Sequence, residues 1–93
     1  MSDTTITYLS QAFSTLRTPE EFGALLRDMC TLGELTSMAE RLRVAEQLQR
    51  GVSYRDIAQS LGVSTTTVTR VAHWFHHGEG GYHAVLSRLH RKV

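Results

Sequence analysis

Residues 53 to 75, SYRDIAQSLGVSTTTVTRVAHWF, constrain this chain more than any other stretch. Counted from Tyr54, the fourth and fifth positions are Ile57 and Ala58, and the eighth to tenth are Leu61, Gly62 and Val63. The fifteenth and eighteenth are Val68 and Val71. Two short helices that cross steeply at a tight bend need this pattern: a small residue at the closest approach, a glycine at the turn, and aliphatic side chains on both buried faces. Ser53 stands three residues before Asp56, and Ser64 stands directly before the second helix, so each start carries a capping signal. The pattern predicts a helix-turn-helix. A plain helical hairpin shares some of these features but does not require all of them together.

The rest of the chain also reads as helical. Ile6, Leu9, Phe13 and Leu16 recur at helical spacing and predict a first helix over about residues 5 to 17. Thr18-Pro19-Glu20-Glu21 supplies an N-cap, a proline in the first turn and a capping-box glutamate for a second helix with Phe22, Leu25, Leu26 and Met29 on one face. Thr31-Leu32-Gly33-Glu34 repeats the capping-box pattern and opens a longer helix that Gly51 ends. Helices over about 54 to 60 and 65 to 76 follow, and Gly78-Glu79-Gly80-Gly81 breaks the chain before a last helix over 82 to 92 with Tyr82, Val85, Leu86 and Leu89. The expected fold class is all-α with six helices in a single domain over residues 1 to 93. Whether the ending LHRKV stays helical is open.

At 93 residues one small core is all the chain can build, and a lone subunit is marginal on size grounds. The apolar faces of the first two helices exceed what such a core covers, which marks residues 1 to 50 as a dimer surface. The expected partners are a second copy of the chain and double-stranded DNA, with no membrane and no cofactor. Cys30 is alone, no apolar run spans a bilayer and no signal peptide opens the chain, so the expected location is cytoplasmic.

Net charge is +1, but the charge is unevenly placed. Residues 1 to 40 carry two basic and six acidic residues, whereas residues 41 to 93 carry eight basic and three acidic ones. A polyanion responds to the local field, so this asymmetry turns the C-terminal half toward phosphate. A mixed surface without that role is the plainer alternative.

If the unit reads DNA, its second helix enters the major groove and offers its N-terminal residues to base edges. Ser64, Thr65, Thr66, Thr67, Thr69 and Arg70 are then the outward contacts, with hydroxyls to donate or accept and methyls to meet thymine. Ser53, Tyr54 and Arg55 are placed to hold phosphates and fix the register. The plainer reading gives the threonines to capping and the arginines to a solvated face. His73, His76 and His77 lie at spacings suited to a shared face, but no carboxylate or cysteine joins them usefully. They read as solvated histidines at a helix C-terminus, not as metal ligands. No nucleophile has a base and an orienting group in sequence, so no enzyme is expected.

The chain resembles the tryptophan repressor superfamily from about Thr31 to Leu89, most specifically through ERLRVAEQLQRG, residues 40 to 51, and the SYRDIAQSLGVSTTTVTRV that follows. It is most similar to the shorter TrpR-like branch, which shares the MAERLRVAEQL helix and the GEGGY connection at 78 to 82. The resemblance implies an intertwined homodimer that binds operator DNA and represses transcription. It also implies a ligand pocket matched at Thr31, Arg41 and Arg70. Two positions depart from the ligand-binding members: Val71 replaces a glycine, and Trp74 replaces a serine that meets the ligand's amino group. A larger wall and a missing hydroxyl argue against L-tryptophan as co-repressor, since a buried unpaired ammonium is costly. Whether another effector is used stays open. A helical protein-interaction module without specific DNA contact is the rival reading.

Overall fold

The computed structural model describes residues 3–89. Six α-helices and no strand occur among them: α1 (Asp3–Ser14), α2 (Pro19–Met29), α3 (Leu32–Gln49), α4 (Tyr54–Leu61), α5 (Thr65–His77) and α6 (Gly81–Leu89). The all-α expectation therefore holds. No helix of the described residues is long and apolar enough to cross a membrane. The chain divides into two compact units, one up to Leu35 and one from Thr36 onward. The expected extension of the last helix to residue 92, and the end of LHRKV, lie outside the described residues.

In the first unit, α1 stops three residues short of the expected end. The hydroxyls of Ser14 and Thr15 donate to the carbonyls of Ser10 and Ala12, at 2.6 and 2.7 Å. Glu21 then takes the backbone N–H groups of Arg17 and Thr18 at 2.6 and 3.3 Å. Competing hydroxyls at one side and a capping carboxylate at the other leave nothing to extend the helix. The Thr18 hydroxyl accepts from the Glu21 N–H at 3.1 Å, which completes a reciprocal capping box at the start of α2. Thr31 and Glu34 make the same exchange, at 2.8 and 3.1 Å, where α3 begins. No residue of α1 or α2 is buried, and Ile6, Tyr8, Phe22 and Met29 are exposed.

The core lies in the second unit. Val44 and Ala45 of α3, Ile57 of α4, Val68, Val71 and Phe75 of α5 and Leu86 of α6 form one buried cluster. Leu48, Val52, Ala58, Leu61, Val63 and Tyr82 pack around it. Val44, Ile57 and Val68 are fully enclosed, and each such aliphatic side chain contributes about 1.5–3 kcal/mol through burial. At the end of α3 the N–H groups of Gly51 and Val52 donate to the carbonyls of Leu48 and Gln47, at 3.0 and 3.1 Å, with Gly51 at φ 80°. This pair of hydrogen bonds closes the last turn and redirects the chain toward α4.

Candidate nucleic-acid interface

The α4–α5 pair is built as the spacing of its aliphatic residues predicts. The Ser53 hydroxyl accepts from the Asp56 N–H at 3.1 Å and starts α4. Gly62 ends it in the left-handed conformation, φ 68° and ψ 31°, where a Cβ would be strained. The Val63 N–H donates to the Ala58 carbonyl at 3.1 Å, and both side chains pack on the core. Two residues later the Ser64 hydroxyl accepts from the Thr67 N–H at 3.1 Å and starts α5. Ile57 and Val68, one from each helix, are both fully buried in the same core cluster.

Burying Val68, Val71, Ala72 and Phe75 fixes which side of α5 faces outward. Thr65, Thr66, Thr69 and Arg70 are exposed, as are Ser53, Tyr54 and Arg55 at the start of α4. The predicted contacts are not equivalent, however. Ser64 is exposed but holds the cap, with its oxygen 3.0 Å from that of Thr67. Thr67 is half-buried, its hydroxyl lies against that cap, and the residue lines a neighbouring cleft. The Thr69 hydroxyl donates to the Thr65 carbonyl at 2.9 Å, which leaves only its lone pairs for a partner. The hydroxyls of Thr65 and Thr66 have no hydrogen bond among the described residues, so these two present full donor and acceptor capacity at the leading edge.

The cleft holds about 480 Å³ and is lined by Ser37, Glu40 and Arg41 of α3, by Thr67, Arg70, Val71 and Trp74 of α5, and by Tyr82 of α6. Arg41, Arg70 and Trp74, grouped from sequence, do come together here. Thr31 is not in the lining; its hydroxyl caps α3 in the first unit. Val71 and Trp74 form part of the wall and leave the cleft open, with Trp74 61% exposed. Ser37, Glu40, Thr67 and Tyr82 escaped sequence reasoning as lining residues. Ser37 stands four residues before Arg41 on α3, and Thr67, Arg70, Val71 and Trp74 follow one stripe of α5, so spacing within each helix is legible, whereas nothing local ties Tyr82 of α6 to either. Two guanidinium groups beside one carboxylate, three hydroxyl-bearing residues and the rings of Trp74 and Tyr82 give the cleft a net positive, hydrogen-bonding character.

Beyond this cleft, Leu42, Trp74, Tyr82 and Val85 line a mostly apolar depression that reaches Gly78, Glu79 and Gly81. His73, His76 and His77 are exposed on α5, and no group of three or more His, Cys, Asp or Glu suited to a metal occurs among the described residues. Cys30 is half-buried at the end of α2 and free.

Comparison with known proteins agrees with this architecture. The model of a family described as Trp repressor protein matches residues 4–90. The uncharacterized protein YerC of Bacillus subtilis (strain 168) is 36% identical over 84 residues, covering 87% of this chain and 81% of that protein. A TrpR-like protein from Eubacterium eligens ATCC 27750 superposes with a TM-score of 0.84 at 34% identity, over 95% of this chain and 91% of the other. A candidate Trp repressor from Staphylococcus aureus gives 0.85 at 32% identity, over 99% and 92%. The match extends through the first two helices, which the quoted motifs did not reach. The chain belongs to the Trp repressor family, in its TrpR-like, YerC-type branch.

Proposed function

We propose that the chain is a sequence-specific DNA-binding transcription regulator, acting as a repressor by covering promoter DNA. The observation that carries this reading is the division of α5: Val68, Val71 and Phe75 are buried, while Thr65, Thr66, Thr69 and Arg70 face outward from a capped N-terminus. A helix held this way by α4 presents hydroxyls and one guanidinium to a groove, and Ser53, Tyr54 and Arg55 stand at the neighbouring helix start to meet phosphates. Family membership supports the same reading.

The working form is a homodimer. Support comes from α1 and α2, where nothing is buried and large apolar side chains stand exposed. A chain of this length that leaves two helices without buried residues gains most by covering them with a second copy. Residues 1–93 then act as a single domain, with dimerisation helices up to residue 50. Two-fold symmetry makes the site an approximate palindrome with half-sites about one helical turn, roughly 34–36 Å, apart.

L-tryptophan is not the co-repressor in this reading. The argument rests on side-chain identity at Val71 and Trp74, since the cleft itself stays open. Calorimetry tests it: specific L-tryptophan binding at micromolar strength overturns this part alone. The main reading is tested by selecting DNA from a random duplex pool with the purified protein. Enrichment of a palindromic motif is the expected result. If nothing is enriched, the helix-turn-helix serves assembly and the protein-interaction reading takes its place.

A further inference from the structure

Departing from the reading of these side chains as merely solvated, we propose that His73 and His77 together form a two-ligand surface site for a borderline divalent transition-metal ion, Cu²⁺, Ni²⁺ or Zn²⁺. The two residues lie one turn apart on α5, both exposed, with ring centroids 5.4 Å apart and planes tilted by 50°. Imidazole nitrogens each about 2.0–2.1 Å from one tetrahedral ion put the two ring centroids roughly 5 Å apart, so the spacing of the pair matches that of a chelate, and rotation about the side-chain torsions of two exposed rings can turn a nitrogen of each toward the ion. Neither ring is spent on a hydrogen bond among the described residues. His73 also makes a T-shaped ring contact with Trp74, at 4.9 Å between centroids. His76 points elsewhere: its ring stands edge-on to Phe75 at 5.1 Å and lies 6.3 Å from that of His77. The site is therefore a two-point one, and water completes the coordination.

Imidazole pairs suit this group of ions, with affinity rising through Ni²⁺ to Cu²⁺ and falling again at Zn²⁺. Position favours a cation as well. His77 is the last residue of α5, where the helix dipole presents its negative end. An ion held here ties the final turn of α5 together beside Trp74, without touching Thr65, Thr66 or Arg55. The proposal therefore stands or falls separately from DNA binding.

Trp74 is the only tryptophan of the chain and reports on the site directly. The test titrates the full chain, free of any affinity tag, with Cu²⁺ or Ni²⁺ alone while following tryptophan fluorescence, then adds Zn²⁺ in competition. Saturable quenching at one ion per chain is expected, with recovery when a large excess of the weaker-binding Zn²⁺ displaces the quencher. Losing one arm of a chelate should weaken binding about tenfold or more in His73→Gln and in His77→Gln, with His76→Gln close to the parent. Circular dichroism confirms that each variant stays folded, and a rise in melting temperature with Zn²⁺ supplies a readout independent of fluorescence. Unchanged affinity in either His73→Gln or His77→Gln overturns the proposal, as does an equal loss in His76→Gln.

Discussion

His83 Nε2 lies 2.8 Å from the backbone oxygen of Phe75, and the two rings pack at 4.4 Å with a 36° tilt. A carbonyl can only accept, so Nε2 carries the proton and donates. The bond takes up one of the carbonyls left over in the last turn of α5, and the ring covers a phenylalanine of the core. One side chain of α6 thus closes the end of the helix proposed to read DNA. His83→Ala should lower stability by about 1–2 kcal/mol, through a lost hydrogen bond and a lost ring contact. His83→Phe keeps the ring and loses the donor, so it should fall between parent and alanine. Urea midpoints at one fixed protein concentration check the order, since the stability of the proposed dimer would depend on concentration.

Gly62 and Gly78 should respond to alanine for different reasons. At Gly62 a Cβ would meet nothing within 4 Å, so the cost is the left-handed backbone alone, about 1–2 kcal/mol. Gly62→Asn should cost less, because asparagine tolerates that conformation better. Gly78 has an ordinary φ of −87°, yet a Cβ there would run into the backbone oxygen of Trp74. That oxygen accepts the N–H of Gly78 itself at 2.8 Å and cannot retreat without opening the end of α5. Gly78→Ala should therefore be the more damaging of the two. Thermal melts of the three variants test the ranking.

This contrast also shows what the sequence carries plainly. Ile57, Ala58, Leu61, Gly62, Val63, Val68 and Val71 sit close to one another along the chain, so short-range periodicity alone locates the turn and its core. The capping boxes at Thr18 and Thr31 are legible for the same reason, since three residues separate cap from carboxylate. Function within the threonine run is less legible. Thr65, Thr66, Thr67 and Thr69 are one residue type, and only their angular positions and hydrogen bonds separate cap and cleft from outward edge. The cleft is harder still, because Ser37, Arg70 and Tyr82 meet across three helices and no local pattern links them. The end of α1 was missed because Glu21, four residues past Arg17, captures the Arg17 amide.

The start of α3 should weaken in acid. Hydrogen bonds from the Thr31 backbone and then its side chain hold the Glu34 carboxyl below its ordinary value of 4.5. A carboxylate favoured in the folded state contributes stability that is present above its unfolded pKa and lost as pH falls through the lowered folded value. Glu34→Gln removes that charge while keeping a capping acceptor. Its stability deficit against the parent should therefore be present at neutral pH and shrink as the pH drops below about 4.5. Urea titrations of both proteins between neutral and acid pH measure the difference. A deficit that stays constant across this range contradicts the role given to the Glu34 charge.

Arg55 and Thr66 should separate affinity from specificity. Arg55 is exposed in the first turn of α4, and in the proposed reading it is a phosphate contact. Arg55→Ala should weaken binding to every duplex alike and reduce the slope of log affinity against log salt by about one per subunit. Thr66 stands in the first turn of α5, exposed and with no hydrogen bond on its hydroxyl among the described residues. Thr66→Ala should leave the salt slope intact and cost about 1–3 kcal/mol only where the contacted base matters, so that one position of the motif loses its preference. Thr69→Ala should do less, because that hydroxyl already donates to the Thr65 carbonyl. Fluorescence anisotropy on the selected duplex and its single-base variants, repeated across a salt series, distinguishes all three. If Arg55→Ala alters base preference and Thr66→Ala does not, α5 is not the element that faces the bases.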